Sequence, residues 1–292
     1  GMALELGVEF RTLSKVTGLI HDGSTVTGVR VEDRTSTYEV QAKKVILATG
    51  GFQWNQEYME KYCPSYKDVT PFAMGGCTGD AITMTRDLDV PVMGEDGASC
   101  FAGLDSVVGY MGRIGWLAQL PQLVINAEGE NLGINGPTKD VIVKQTGCCT
   151  YGIFDGKTPY MDRLTDAVKR GLATKYTDLY ELAEGLGQDY GQLQFNIQRN
   201  GMDEKGPFHV VVQKPCNIMT LPGLATDPLC RVLNSAGEQV GNLYAAGCCI
   251  LGNVFSDTPE SDFNNAYVGT TNSVTEAILS GSVCGKDAVE SL

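Results

Sequence analysis

Histidine is nearly missing from this chain. His21 and His209 are the two present in 292 residues, and a zinc site of ordinary ligand spacing needs closely spaced histidines and cysteines. No metal centre is expected. Cysteine is more plentiful, with ten, but no C-x-x-C spacing occurs and the thiols are scattered apart from two vicinal pairs, Cys148 with Cys149 and Cys248 with Cys249. They read as reduced thiols. Basic residues are also short, 22 Lys and Arg against 35 Asp and Glu, for a net charge of -13. Nucleic acid, which is held by cationic contacts that release counterions, is excluded as a partner. No uncharged apolar run reaches the ~18 residues of a membrane span, and the N-terminus lacks the order of a signal peptide. A cytoplasmic location is expected. Gly1 stands ahead of the first methionine, so Met2 is read as the native start.

What is present is a globular chain, 42% hydrophobic and long enough for two lobes. Residues 7–39 are short Val-, Ile- and Thr-rich runs separated by Asp22-Gly23 and by a polar stretch at 32–34, which predicts a meander of about three strands. The apolar run Val45–Leu47 stands directly before Thr49-Gly50-Gly51 and reads as a buried parallel strand ending in a glycine turn. Such strand ends commonly border a ligand crevice. Gly79-Asp80 opens a helical pattern whose N-terminus is expected to face an anion well. Residues 92–205 change character, with few alternating strands and then Leu179, Leu182, Leu186, Leu193 and Ile197 at helical spacing, broken near Gly187. After residue 206 strands return at 209–213, 230–234 and 239–247. Ser273 and Glu276 open a final helix with a capping-box pattern.

Several of these segments stand in an order that resembles one family. A V-x-G-V-x-V hairpin (26–31), an A-K-x-V-I-L-A-T-G-G-F block (42–52), a T-G-D-x-I-x-M helix start (78–84) and a G-x-L-Y-A-A-G block (241–247) are similar to the flavin lobe of the fumarate reductase and succinate dehydrogenase flavoproteins. D-L-x-E-L-A-x-x-L-G (178–187) resembles that family's capping domain. The fold class implied is α/β (α+β): a partial Rossmann-like FAD-binding lobe with a β-meander, over 2–91 and 206–292, and a capping or substrate domain over 92–205.

The resemblance implies FAD as cofactor, held by Thr49, Gly50, Gly51, Gly79, Asp80, Ala246, Gly247, Gly269, Thr270 and Thr271. Each of these turns has a plainer reading as a tight turn or helix cap. The family's opening G-x-G-x-x-G unit has no counterpart here, so weak or no FAD binding by this chain alone is expected, together with a homodimer or a partner chain carrying the missing half. Lys139 falls where the family has a proton-donating arginine, with a solvated surface lysine as the alternative. The family's substrate-clamping histidines fall on Ile218 and Met219, and its second arginine finds only Glu260, Asp262 or Glu276 nearby. Apolar and acidic groups at these positions repel a dicarboxylate, so fumarate is not the expected substrate. His209 is expected to be a strand residue satisfied by a local partner. The reaction implied is a flavin-dependent oxidoreduction of a small substrate; the alternative is a non-catalytic binding or assembly module.

Overall fold

The polar stretch after the first hairpin folds on its own side chains. Asp33 Oδ1 accepts the Thr35 amide at 2.8 Å and the Ser36 amide at 2.9 Å, a local turn that needs no distant partner. It returns β2 (Thr25–Glu32), already antiparallel to β1 (Lys15–Asp22), as β3 (Thr37–Gln41). The expected meander is therefore present. This computed structural model describes residues 2–94, 96–104, 113–137, 139–250 and 273–292. The chain divides into two units, one of Gly1–Pro64, Gly76–Gly97 and Thr220–Leu292, the other of Ser65–Gly75 and Ala98–Met219.

Among the described residues the first unit holds a six-stranded sheet. The strand Gln239–Ala245 runs parallel to β4 (Val45–Leu47), with Leu243 opposite Val45 and Ala245 opposite Leu47. Leu47, Val240, Leu243 and Ala245 share one core with Cys284 and Ala288 of the last helix, Ser273–Glu290. That helix is tied down by charge. Arg231 donates to both Asp287 oxygens at 2.8 and 2.7 Å, and the Tyr244 hydroxyl adds a third bond at 2.9 Å. The guanidinium holds the Asp287 carboxyl down at about 2.

In the second unit a seven-stranded sheet is covered on both faces. Neighbouring residues on a strand point to opposite sides. Accordingly Ile153 and Val210 enter a core with Leu123, Leu182, Leu193 and Ile197, while Phe154 and Val211 enter another with Leu104, Leu117, Ile142 and Leu164. The helix hairpin on the first core is set by its caps. Asp178 Oδ1 accepts the Glu181 amide at 2.9 Å to start Leu179–Leu186, Gly187 at φ 65° ends it, and Asp189 Oδ1 accepts the Gln192 amide at 2.8 Å to start Tyr190–Arg199.

This sheet corrects the expectation of few strands over 92–205. Leu123–Ile125 is buried at all three positions and Thr150–Phe154 at four of its five, so neither shows the alternation that marks a half-exposed strand. The division of the chain differs as well. Phe208–Thr220 pairs antiparallel with Thr150–Phe154 and Thr174–Tyr176, which carries residues 206–219 into the second unit.

Candidate functional site

β4 leads into Thr49, Gly50 and Gly51, and the structure brings these residues against the 77–81 segment. Thr49 Oγ1 accepts the Ala81 amide at 3.2 Å, and the Gly79 amide donates to the Gly51 carbonyl at 3.1 Å. Two of the glycines are there for space. A Cβ on Gly51 would lie 2.4 Å from Thr220 Oγ1, and one on Gly79, at φ 78°, would lie 2.6 Å from the Tyr58 ring. Gly50 differs, since at φ 75° the conformation demands glycine while a Cβ would meet only Cys77 Sγ at 3.4 Å.

The adjacent parallel strand ends beside it. Ala246 N–H donates to the Leu47 carbonyl at 2.9 Å, carrying the ladder one residue past the strand. Gly247, at φ 73°, gives its amide to Ser280 Oγ of the last helix at 2.9 Å. Ser280 in turn helps line a cavity of about 320 Å³ with Thr226, Asp227, Cys230, Ile250 and Glu276. Thiols border this corner, and the sequence reading passed them over. Burial, and then the Gly51 backbone in the opposite sense, act on Cys77, whose thiol is raised; Cys248 is raised by burial and by Cys77; Cys249 is pushed up to about 11 by burial. Their signal was positional: Cys77 immediately precedes T-G-D, and Cys248 and Cys249 immediately follow A-A-G.

A ligand at the ends of these two strands meets backbone. Gly50 and Gly247 are both left-handed there, and a Cβ on them would meet Cys77 Sγ at 3.4 Å and Ala277 Cβ at 3.6 Å, so both turns are closed by backbone without side chains of their own. The 79–81 segment is differently employed. Its helix, Asp80–Met84, is five residues long, the Ala81 and Gly79 amides are bonded within the chain, and Thr78 Oγ1 donates to Asp80 Oδ1 at 2.8 Å. Gly50, Gly51, Ala246 and Gly247 thus stand together at the two strand ends, with the Ala246 and Gly247 amides also bonded within the chain, and Gly79 and Asp80 buttress that corner. Gly269, Thr270 and Thr271 lie outside the described residues.

Lys139 belongs to the second unit. Its Nζ donates to the Ser65 carbonyl at 3.1 Å and stands 3.6 Å from the centroid of the Tyr66 ring, a cation held on an aromatic face. Ile218 and Met219 stand just before the last residue of the strand Phe208–Thr220, with Met219 buried. His209 departs from expectation. It is buried, and Nδ1 has no hydrogen-bond partner, because the pairing of Phe208–Thr220 with both flanking strands turns the ring into packed side chains. Desolvation, then the charge of Lys175 on the neighbouring strand, lower its pKa below the usual 6.5.

The mixed α/β architecture agrees with comparison to known proteins. A family model described as FAD binding domain matches residues 2–273, and the chain belongs to that family. FAD is the cofactor of the class. An NADH:fumarate oxidoreductase of Klebsiella pneumoniae is 24% identical over 97% of this chain and 32% of its own length, and a urocanate reductase of Eggerthella lenta is 26% identical over 80% and 44%. The chain thus spans less than half of the length of such curated relatives, from 27% to 46%. The open conformation of a flavocytochrome c3 fumarate reductase superposes with a TM-score of 0.76 at 23% identity, covering 99% of this chain and 54% of that one. The resemblance drawn from the sequence blocks holds in fold and family.

Proposed function

We propose that this chain supplies the flavin-ring contacts and the substrate lobe of a FAD-dependent oxidoreductase acting on a small substrate of low negative charge. One observation carries the reading: two neighbouring parallel strands, β4 and Gln239–Ala245, end side by side in glycine backbone at φ 75° and 73°. When bound, FAD supplies the hydride chemistry, and the protein supplies orientation and electrostatics. Gly50 and Gly247 form the turns at which backbone meets the ring, Gly51 packs on Thr220 beside them, and Thr49 and Ser280 fix those turns through the Ala81 and Gly247 amides. The substrate class follows from Ile218 and Met219, which offer a carboxylate no cation, and from Lys139, whose ammonium is engaged by Ser65 and Tyr66.

The relatives named for fumarate and urocanate show that this family serves different small molecules. Ten cysteines with no disulfide among them support a cytoplasmic location. The test is flavin itself. Purified protein titrated with FAD is expected to perturb the flavin absorption bands and quench flavin fluorescence, with the signal lost in Gly50→Val and Gly247→Val while far-UV circular dichroism is retained. Equal binding by native chain and both variants would remove the strand-end corner from the reading. Bound flavin reoxidised by fumarate as readily as by a neutral enone would overturn the substrate class.

A further inference from the structure

The vicinal pair Cys148 and Cys149 stands apart from the strand-end corner. All ten cysteines lie among the described residues, and Cys148 is the one that is exposed, with Cys149 half-buried beside it. The core thiols are of another kind. Burial pushes Cys63 up to about 12 and Cys249 and Cys284 up to about 11, which keeps them protonated and weakly nucleophilic.

The backbone at the pair is held in an unusual turn. Gly147 is left-handed at φ 72°, Cys148 follows at φ 49°, and Cys149 then swings to extended conformation at φ -146° as Thr150–Phe154 begins. A left-handed cysteine is uncommon, since its Cβ crowds the following carbonyl. Both thiols fold back over this one turn: Cys148 Sγ points to the Val143 carbonyl and Cys149 Sγ to the Thr146 carbonyl, each at 3.8 Å. Cys149 Sγ also lies over Gly147, where a Cβ would stand 3.6 Å away. The Tyr151 hydroxyl bonds with the Cys149 thiol as well. Thr146 bonds Glu128, which ties the turn to the neighbouring loop. Two thiols, one open to solvent, are thus presented at the end of one short turn, Thr146–Cys148, just ahead of the strand Thr150–Phe154.

We propose that Cys148 and Cys149 form a reversible vicinal disulfide, a modification site for small-molecule disulfides and, in the reduced state, a two-thiol site for soft, thiol-seeking groups. The thiolate of Cys148 attacks one sulfur of a small disulfide, forming a mixed disulfide and releasing the first thiolate. The thiolate of Cys149 then attacks the Cys148 sulfur and expels the second. Two thiols of the chain are oxidised and one small disulfide is reduced to two thiols, so electrons and protons balance. Ring closure is intramolecular, which favours it over a lasting adduct. Consecutive Cα atoms are only ~3.8 Å apart across a trans peptide, below the usual ~4.4–6.8 Å of a disulfide. The bond is therefore strained and easily reduced, as regulatory disulfides are.

The reduced, purified protein equilibrated with graded oxidised and reduced glutathione tests this. After the remaining thiols are blocked with iodoacetamide, peptide mass mapping is expected to show Cys148 and Cys149 as the first pair to escape labelling. Their peptide should be lighter by two hydrogen atoms, free of bound glutathione, and restored by dithiothreitol. In Cys148→Ser the remaining Cys149, and in Cys149→Ser the remaining Cys148, carries a glutathione adduct instead. A lasting glutathione adduct on the native pair, or earlier oxidation of any other cysteine, would overturn the proposal. Phenylarsine oxide gives an independent reading, since two thiols bind its arsenic with loss of one water. Affinity is expected to fall roughly a hundredfold in either single variant, and equal affinity in native chain and variants would count against a two-thiol site.

Discussion

In the second unit, Ile153 and Phe154 send their side chains to opposite sides of one sheet, and both are fully buried. In the first unit, β4 buries Val45 and Leu47 but leaves Ile46 44% exposed, and beyond it the chain turns into glycine. Sheet faces packed on both sides give stability. Strand ends that run out of side chains give access to backbone, and the candidate flavin contacts lie there. The same element type thus serves packing in one unit and recognition in the other, according to which part of the strand is covered.

Substitutions should divide along this line. Leu182→Ala in the second unit removes a fully buried side chain from between helix and sheet and is expected to cost about 2–5 kcal/mol in urea unfolding. Gly79→Ala in the first unit should cost about 1–3 kcal/mol, because the added Cβ meets the Tyr58 ring at a left-handed backbone position. A cost below that of an ordinary surface change would show that the 77–81 segment is free to move.

Acid should separate the units further. His209 is held neutral, its folded pKa lying below 6.5. A depressed pKa contributes stability that is present above 6.5 and lost as pH falls below it. The unfolding midpoint should therefore drop as pH falls from about 6.5, and His209→Leu should flatten that slope. Asp287 is depressed from 3.8 to about 2, so its contribution is present above 3.8 and lost between there and about 2. Asp287→Asn should lower stability at neutral pH and abolish that later loss. One shared acid transition insensitive to either substitution would break the comparison. The smallest effect belongs to Ile46→Ala, expected within about 0.5 kcal/mol of native stability.

Much of the architecture was readable because its causes are local. Asp33, Asp178 and Asp189 each accept an amide two or three residues ahead, and Gly187 ends its helix by its own left-handed backbone. Composition and order carried the meander, the helix hairpin, the strand-end glycines and the family. Of the second sheet only the strand at 209–213 was readable, as part of Phe208–Thr220, since short strands buried on both faces show no alternation.

The sequence by itself thus determined the turns, caps and glycine positions, where a side chain or a missing Cβ acts on backbone within a few residues. Tertiary structure alone decided the site. Thr49 meets the Ala81 amide across 32 residues and Gly247 meets Ser280 across 33, and the unpartnered Nδ1 of His209 follows from strands paired on both sides of it. Such contacts depend on which distant segments the core brings together. No local pattern encodes them, because the free energy that fixes them is burial summed over the whole unit.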